Sequence, residues 1–120
     1  MKTKTVLIID DEIENRKLLK IILKKLDINL NILEAENASQ ALDILKTIPV
    51  SLVLLDILLP DMNGVQILKS IKKDVTVIIV TALEKDELEL EGRYIFVQKP
   101  INVQNLIKIL KETLSKDENI

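Results

Sequence analysis

The chain has 120 residues, 48% hydrophobic and 30% charged, so it is too apolar to be disordered and too short for two cores of normal size. A net charge of -2, with one Tyr, one Phe and no Trp, excludes a basic or aromatic nucleic-acid platform. With no Cys and no His, disulfides, structural zinc, thiol nucleophiles and His-based triads are excluded, and any bound metal must be a hard ion held by carboxylates.

The first four residues are basic, but the apolar run behind them, residues 6–9, ends at two acids. It is too short for a secretory segment, and no run approaches the roughly 20 apolar residues of a membrane span, so a cytoplasmic chain without a membrane partner is expected. Residues 6–9 read as a first strand because the run is continuous instead of alternating, as in a sheet covered on both faces. Residues 15–26 follow as a helix, with Leu18, Leu19, Ile22, Leu23 and Leu26 at helical spacing and lysines opposite. Residues 31–34 are a weaker strand, nearer a sheet edge, and residues 38–45 a helix carrying Ala41, Leu42 and Leu45. Residues 51–55 form the third strand and 64–71 the third helix, with Val65, Leu68 and Ile71 on its apolar side. Residues 75–80 are the fourth strand.

Residues 84–91 fit poorly. The segment is mostly acidic, with Leu83, Leu88 and Leu90 giving a narrow apolar face, so a short exposed helix is one reading. Residues 94–97 make a second weak, edge-type strand, and 102–114 a last helix with Asn102 as N-cap. The polar tail, residues 115–119, is expected to fray. These five βα units form one domain over residues 1–120, with its core at about 5–114. They imply a parallel sheet with right-handed crossovers and helices on both faces.

In such sheets reactive side chains gather at the carboxyl ends of strands. Those ends carry Asp10 and Asp11, Asp56, Thr81 and Lys99. Each has an ordinary structural explanation: the acid pair suits a helix start, Asp56 a turn, Thr81 a strand and Lys99 the surface. Their joint position at one rim favours a site. Three crowded carboxylates repel unless cations sit among them, and Lys99 with a hard divalent ion would supply those charges. A carboxylate so placed, beside a hydroxyl and an ammonium, is equipped to attack phosphorus.

These residues resemble the receiver domain of two-component response regulators. Ile8-Ile9-Asp10-Asp11-Glu12 is similar to its acidic pair, and Leu54 to Gly64 (LLDILLPDMNG) to its phosphoacceptor strand and loop. Val80-Thr81-Ala82 matches its switch hydroxyl, and Gln98-Lys99-Pro100 its lysine and proline. The resemblance runs from about Thr5 to Leu114. It implies a three-layer, doubly wound, flavodoxin-like α/β fold with strand order 2-1-3-4-5. Asp56 would accept a phosphoryl group from a histidine kinase or histidine phosphotransferase. Mg2+ would be held by Asp11, Asp56 and the Leu58 backbone carbonyl, with Asp10 acting through water. Lys99 would pair with a phosphoryl oxygen, and Thr81 would turn toward another, helped by the Ala82 backbone N–H. Phe96 would be the switch aromatic, with Tyr94 as the fallback, and the Lys99-Pro100 bond would be cis. The switched face would bind a downstream protein whose identity the residues do not reveal.

Three departures from the pattern stand out. The stretch from Thr81 to Gly92 is short by about one helical turn, which implies a shortened fourth helix. Arg93 replaces a small residue. Leu58 and Leu83 stand where the family has residues flanking the phosphoryl group, and neither orients water, so slow loss of phosphate is expected. Homodimers in the family use the fourth helix, fifth strand and fifth helix, so a homodimer stays open. The chain is expected to be either a stand-alone regulator, such as a phosphorelay intermediate, which Met1 and the polar end favour, or a domain cut from a longer protein, and to catalyse only its own phosphorylation and dephosphorylation. Two other readings compete. One is a degenerate receiver that binds partners without phosphorylation. The other is an aspartyl-nucleophile phosphohydrolase of the haloacid dehalogenase type, which needs Asp-x-Asp where this chain has Asp10-Asp11-Glu12.

Overall fold

The computed structural model describes residues 3–88 and 92–115. Its elements are β1 (Lys4–Ile9), α1 (Ile13–Lys24), β2 (Leu30–Ala35), α2 (Ala38–Thr47), β3 (Leu52–Leu55), α3 (Gly64–Ser70), β4 (Thr76–Thr81), β5 (Ile95–Gln98) and α4 (Val103–Ser115). All strand pairs are parallel, in the order β2-β1-β3-β4-β5. This is the doubly wound, flavodoxin-like sheet that the resemblance implied. Among the described residues no helix is long and apolar enough to cross a membrane.

The sheet divides the core in two because successive side chains in a strand point to opposite faces. On one face Val6, Ile8, Leu52, Leu54, Ile78 and Val80 meet Leu19, Ile22 and Leu23 of α1 and Leu106, Leu110 and Leu114 of α4. On the other, Leu7, Ile9, Val53, Leu55, Val77 and Ile79 meet Ala38 and Ala41 of α2 and Ile67 of α3. Apolar residues are needed on both sides of β1 and β3, which explains their unbroken hydrophobic runs. Truncating one such residue, for example Leu54 to Ala, costs about 2–5 kcal/mol because a close-packed site collapses only in part. The two weaker strand candidates, β2 and β5, are the two edges, where half-exposed faces admit polar residues.

Three helices start at asparagines. The Asn37, Asn63 and Asn102 side chains accept from the backbone N–H of Gln40, Val65 and Asn105, satisfying donors that a helix start leaves free. Helix α1 begins two residues earlier than its apolar period predicts, because Ile13 is 53% exposed and lies off the buried stripe.

The largest departure lies between β4 and β5. Among the described residues the shortened fourth helix is reduced there to one 3-10 turn, Lys85–Glu87. Its acids carry no apolar face wide enough to hold a longer helix on the sheet. Residues 89–91 of the expected acidic helix, and residues 116–120 of the tail, lie outside the described residues. Gly92 precedes β5 with φ +116°, a conformation that a side chain would strain.

Candidate functional site

The parallel register delivers the acids together. Ile9 of β1 pairs with Leu55 of β3, so Asp10 and Asp56 leave adjacent central strands in the same row. The Asp56 N–H donates to the Ile9 carbonyl at 2.9 Å and locks that alignment. Asp10 is 1% exposed and Asp56 5%, while Asp11 opens to solvent. One carboxylate oxygen from each of the three lies within 4.8 Å of the others.

Lys99 closes the pocket from beyond β5. Its Nζ donates to Asp10 Oδ2 at 2.9 Å and to Asp56 Oδ2 at 2.8 Å, with its side chain 14% exposed. Burial alone would push this ammonium down; hydrogen bonds and charge from Asp56 and Asp10 outweigh it and hold the group above its ordinary value. Lys99 therefore stays charged across the neutral range. The remaining carboxylate oxygens meet backbone donors: Asp10 Oδ1 accepts from the Glu12 N–H at 2.9 Å, and Asp56 Oδ1 from the Leu58 N–H at 3.0 Å. The Lys99-Pro100 peptide bond is cis.

Thr81 ends β4 beside this group, and its carbonyl accepts from the Lys99 N–H at 2.7 Å. The Thr81 hydroxyl is fully buried and, among the described residues, is the buried side-chain polar atom that lacks a hydrogen-bond partner. A hydroxyl left without a partner costs about 1–3 kcal/mol, so Thr81 Oγ1 is a donor with spare capacity beside the acid cluster. Ala82 follows, exposed at the mouth.

The donor set suits magnesium: three hard carboxylate oxygens converge, and the chain contains no His or Cys to favour a softer metal. Leu58 is 51% exposed in the turn beyond Asp56. That turn packs tightly, since the Gly64 N–H donates to the Ile57 carbonyl at 2.9 Å and a Cβ at Gly64 would lie 2.7 Å from Ile57 Cα. Phe96 sits deeper. It pairs with Ile79 two rows behind the Thr81–Gln98 pair and on the same face, half-buried against the core cluster that also holds Val77, Ile79 and Ile67. Tyr94 and Leu83 pack on the same cluster. The sheet thus gathers Asp10, Asp11, Asp56, Thr81 and Lys99 at one rim and leaves Phe96 behind it.

Two contributors escape the sequence pattern. Arg16 is 8% exposed; its guanidinium donates to the Asp10 carbonyl at 2.8 Å and to Glu34 Oε1 at 3.1 Å. Burial raises the Glu34 pKa, but hydrogen bonds from Lys20 and Arg16 prevail and hold it below its ordinary value. The available signal was an arginine three residues before Leu19, on the buried stripe, in a chain with 2 arginines against 15 lysines. Asp61 is the other. Its carboxylate accepts from the Ala38 and Ser39 N–H groups at 2.8 and 3.1 Å, tying the loop behind Asp56 to the start of α2. No spacing rule predicts this cap, because its partners lie 23 and 22 residues away.

The chain as a whole is similar to known proteins. The model of the response regulator receiver domain matches residues 6–111. A putative NtrX-like response regulator of Rickettsia bellii is 40% identical over 96% of this chain, which covers 26% of that protein. The chemotaxis protein CheY of Bacillus subtilis is 30% identical, with 92% of this chain and 97% of that protein covered. Across the first curated relatives the chain spans about a quarter to a half of their length. The response regulator TrrA of Thermotoga maritima, solved in complex with Mg(2+)-BeF, superposes with a TM-score of 0.80 at 31% identity, covering 92% of this chain and 98% of that one. With fold and sequence in agreement over nearly the whole chain, it belongs to the response regulator receiver domain family of two-component systems.

Proposed function

We propose that Asp56 accepts a phosphoryl group from a phosphohistidine of a histidine kinase or histidine phosphotransferase. The observation that carries this reading is the Lys99 ammonium bridging Asp10 and Asp56 beside a buried, unpartnered Thr81 hydroxyl.

A carboxylate oxygen of Asp56 attacks phosphorus while the P–N bond to the donor imidazole breaks. The released nitrogen takes a proton from solvent, and an acyl phosphate remains on Asp56. Lys99 transfers a hydrogen bond from Asp56 Oδ2 to a phosphoryl oxygen, which neutralises charge that would otherwise repel the three acids. Thr81 Oγ1 donates to a second phosphoryl oxygen, with the exposed Ala82 N–H beside it. Asp11, Asp56 and the Leu58 carbonyl would hold magnesium directly and Asp10 through water. When bound, the ion supplies two positive charges against the phosphoryl oxygens. Turning the Thr81 hydroxyl outward leaves room for Phe96, two rows behind it, to move inward and reshape the β4–β5 face for a downstream protein.

Support for this reading comes from the complete acid, hydroxyl and lysine set and from the Mg(2+)-BeF complex of TrrA. The test is intact-mass measurement after incubation with acetyl phosphate and magnesium. One phosphoryl mass is expected on wild type and none on Asp56→Asn. An unmodified wild type would leave the phosphorylation-independent binding module as the better reading, and a modified Asp56→Asn would place the phosphoryl group on a residue other than Asp56.

A further inference from the structure

We propose that Arg16 is a positioning residue for the metal site, acting through the peptide that joins Asp10 to Asp11. This inference rests on the metal-dependent phosphoacceptor reading above. The Asp10 carbonyl belongs to that peptide, and the buried Arg16 guanidinium donates to it at 2.8 Å. The orientation of this one plane decides where both carboxylates emerge.

Asp10 has further constraints, because its two side-chain oxygens are held by the Glu12 N–H and by Lys99. Asp11 has none. Among the described residues no hydrogen bond or ion pair holds its exposed carboxylate, so the backbone is what fixes where this side chain leaves the chain and which positions its rotamers can reach. Arg16 is itself anchored from both ends: it stands on the buried stripe of α1 and is braced by Glu34 of β2, whose other oxygen binds Lys20 at 3.0 Å. Residues that orient metal ligands without touching the ion typically change metal affinity by about 10- to 100-fold when removed.

A purely structural role and a positioning role differ in the sign of one measurement. By charge alone, deleting a cation next to three acids tightens magnesium binding. By positioning, deletion loosens it.

The experiment is calorimetric titration of magnesium chloride into wild type, Arg16→Met, Arg16→Lys and Glu34→Gln, with a melting curve for each. Arg16→Met is expected to weaken magnesium binding about 10-fold. Arg16→Lys, which keeps charge and one donor, should recover part of that loss. Glu34→Gln should lower the melting temperature with little change in affinity, since the bond to the Asp10 carbonyl survives. Unchanged or tighter binding by Arg16→Met overturns the inference. If that variant does not fold, Arg16→Gln, which deletes the charge and is too short to hold the Asp10 carbonyl in the same way, takes its place, and unchanged or tighter binding there overturns the inference. A wild type that binds no magnesium removes the metal-dependent reading itself, a result distinct from equal binding by both proteins.

Discussion

Lys99 Nζ and Asp56 Oδ2 are 2.8 Å apart in a pocket that buries both side chains, and the same ammonium also serves Asp10. Removing one partner of a buried ion pair leaves uncompensated charge, so Lys99→Met is expected to destabilise the protein by about 3 kcal/mol at neutral pH. The ion pairs raise the folded-state pKa of Lys99 despite the opposing effect of burial. Their contribution is therefore complete below the ordinary value of 10.5 and is lost as pH rises through the higher folded value. Urea denaturation of both proteins across alkaline pH should show a stability gap that closes only above that range. A gap that closes near neutrality would contradict the charged bridge.

Thr81 is the reverse case, a polar group without a partner. Thr81→Val keeps the shape and deletes the orphaned hydroxyl, so the unphosphorylated protein should gain about 1 kcal/mol. Phosphate uptake at Asp56 should persist in the variant, while the shift of Phe96 amide signals on adding beryllofluoride and magnesium should largely vanish. A normal Phe96 response would remove the hydroxyl from the switch.

The Asp61 cap predicts an acid-range effect. Hydrogen bonds from the Ala38 N–H first, and then the Ser39 N–H, hold this carboxyl below its ordinary 3.8 despite opposing desolvation. A depressed pKa contributes stability above the unfolded value and loses it as pH falls through the folded value. Asp61→Ala should melt at a lower temperature than wild type at pH 7, with the difference shrinking below pH 3.8. A difference independent of pH would show that the charge of the cap is immaterial.

Leu58 bears on phosphate lifetime. Half-exposed beyond Asp56, its side chain offers neither donor nor acceptor to an attacking water. Leu58→Asn should shorten the acyl-phosphate half-life several-fold in a release time course. An unchanged half-life would place control of hydrolysis elsewhere.

Much of this arrangement is legible in the chain itself. Continuous apolar runs mark β1, β3 and β4 because a sheet covered on both faces needs them, and the weaker runs fall at the edges for the same reason. The residues that follow those runs, Asp10, Asp56, Thr81 and Lys99, converge because all parallel strands end on one side. The helix between β4 and β5 is less legible: the segment is visibly short and acidic, but periodicity alone does not show that its described residues form the 3-10 turn Lys85–Glu87 in place of an α-helix.

Local pattern therefore determined the strand set, the helix faces and the acidic rim, since periodicity and strand ends are properties of neighbours in sequence. Tertiary structure decided the aim of each group: which oxygen Lys99 holds, that Arg16 grips the Asp10 carbonyl, and that Asp61 caps a helix 23 residues away. Those contacts depend on how separate elements pack, and hydrogen bonds form only within a few tenths of an ångström, a precision that sequence spacing does not carry.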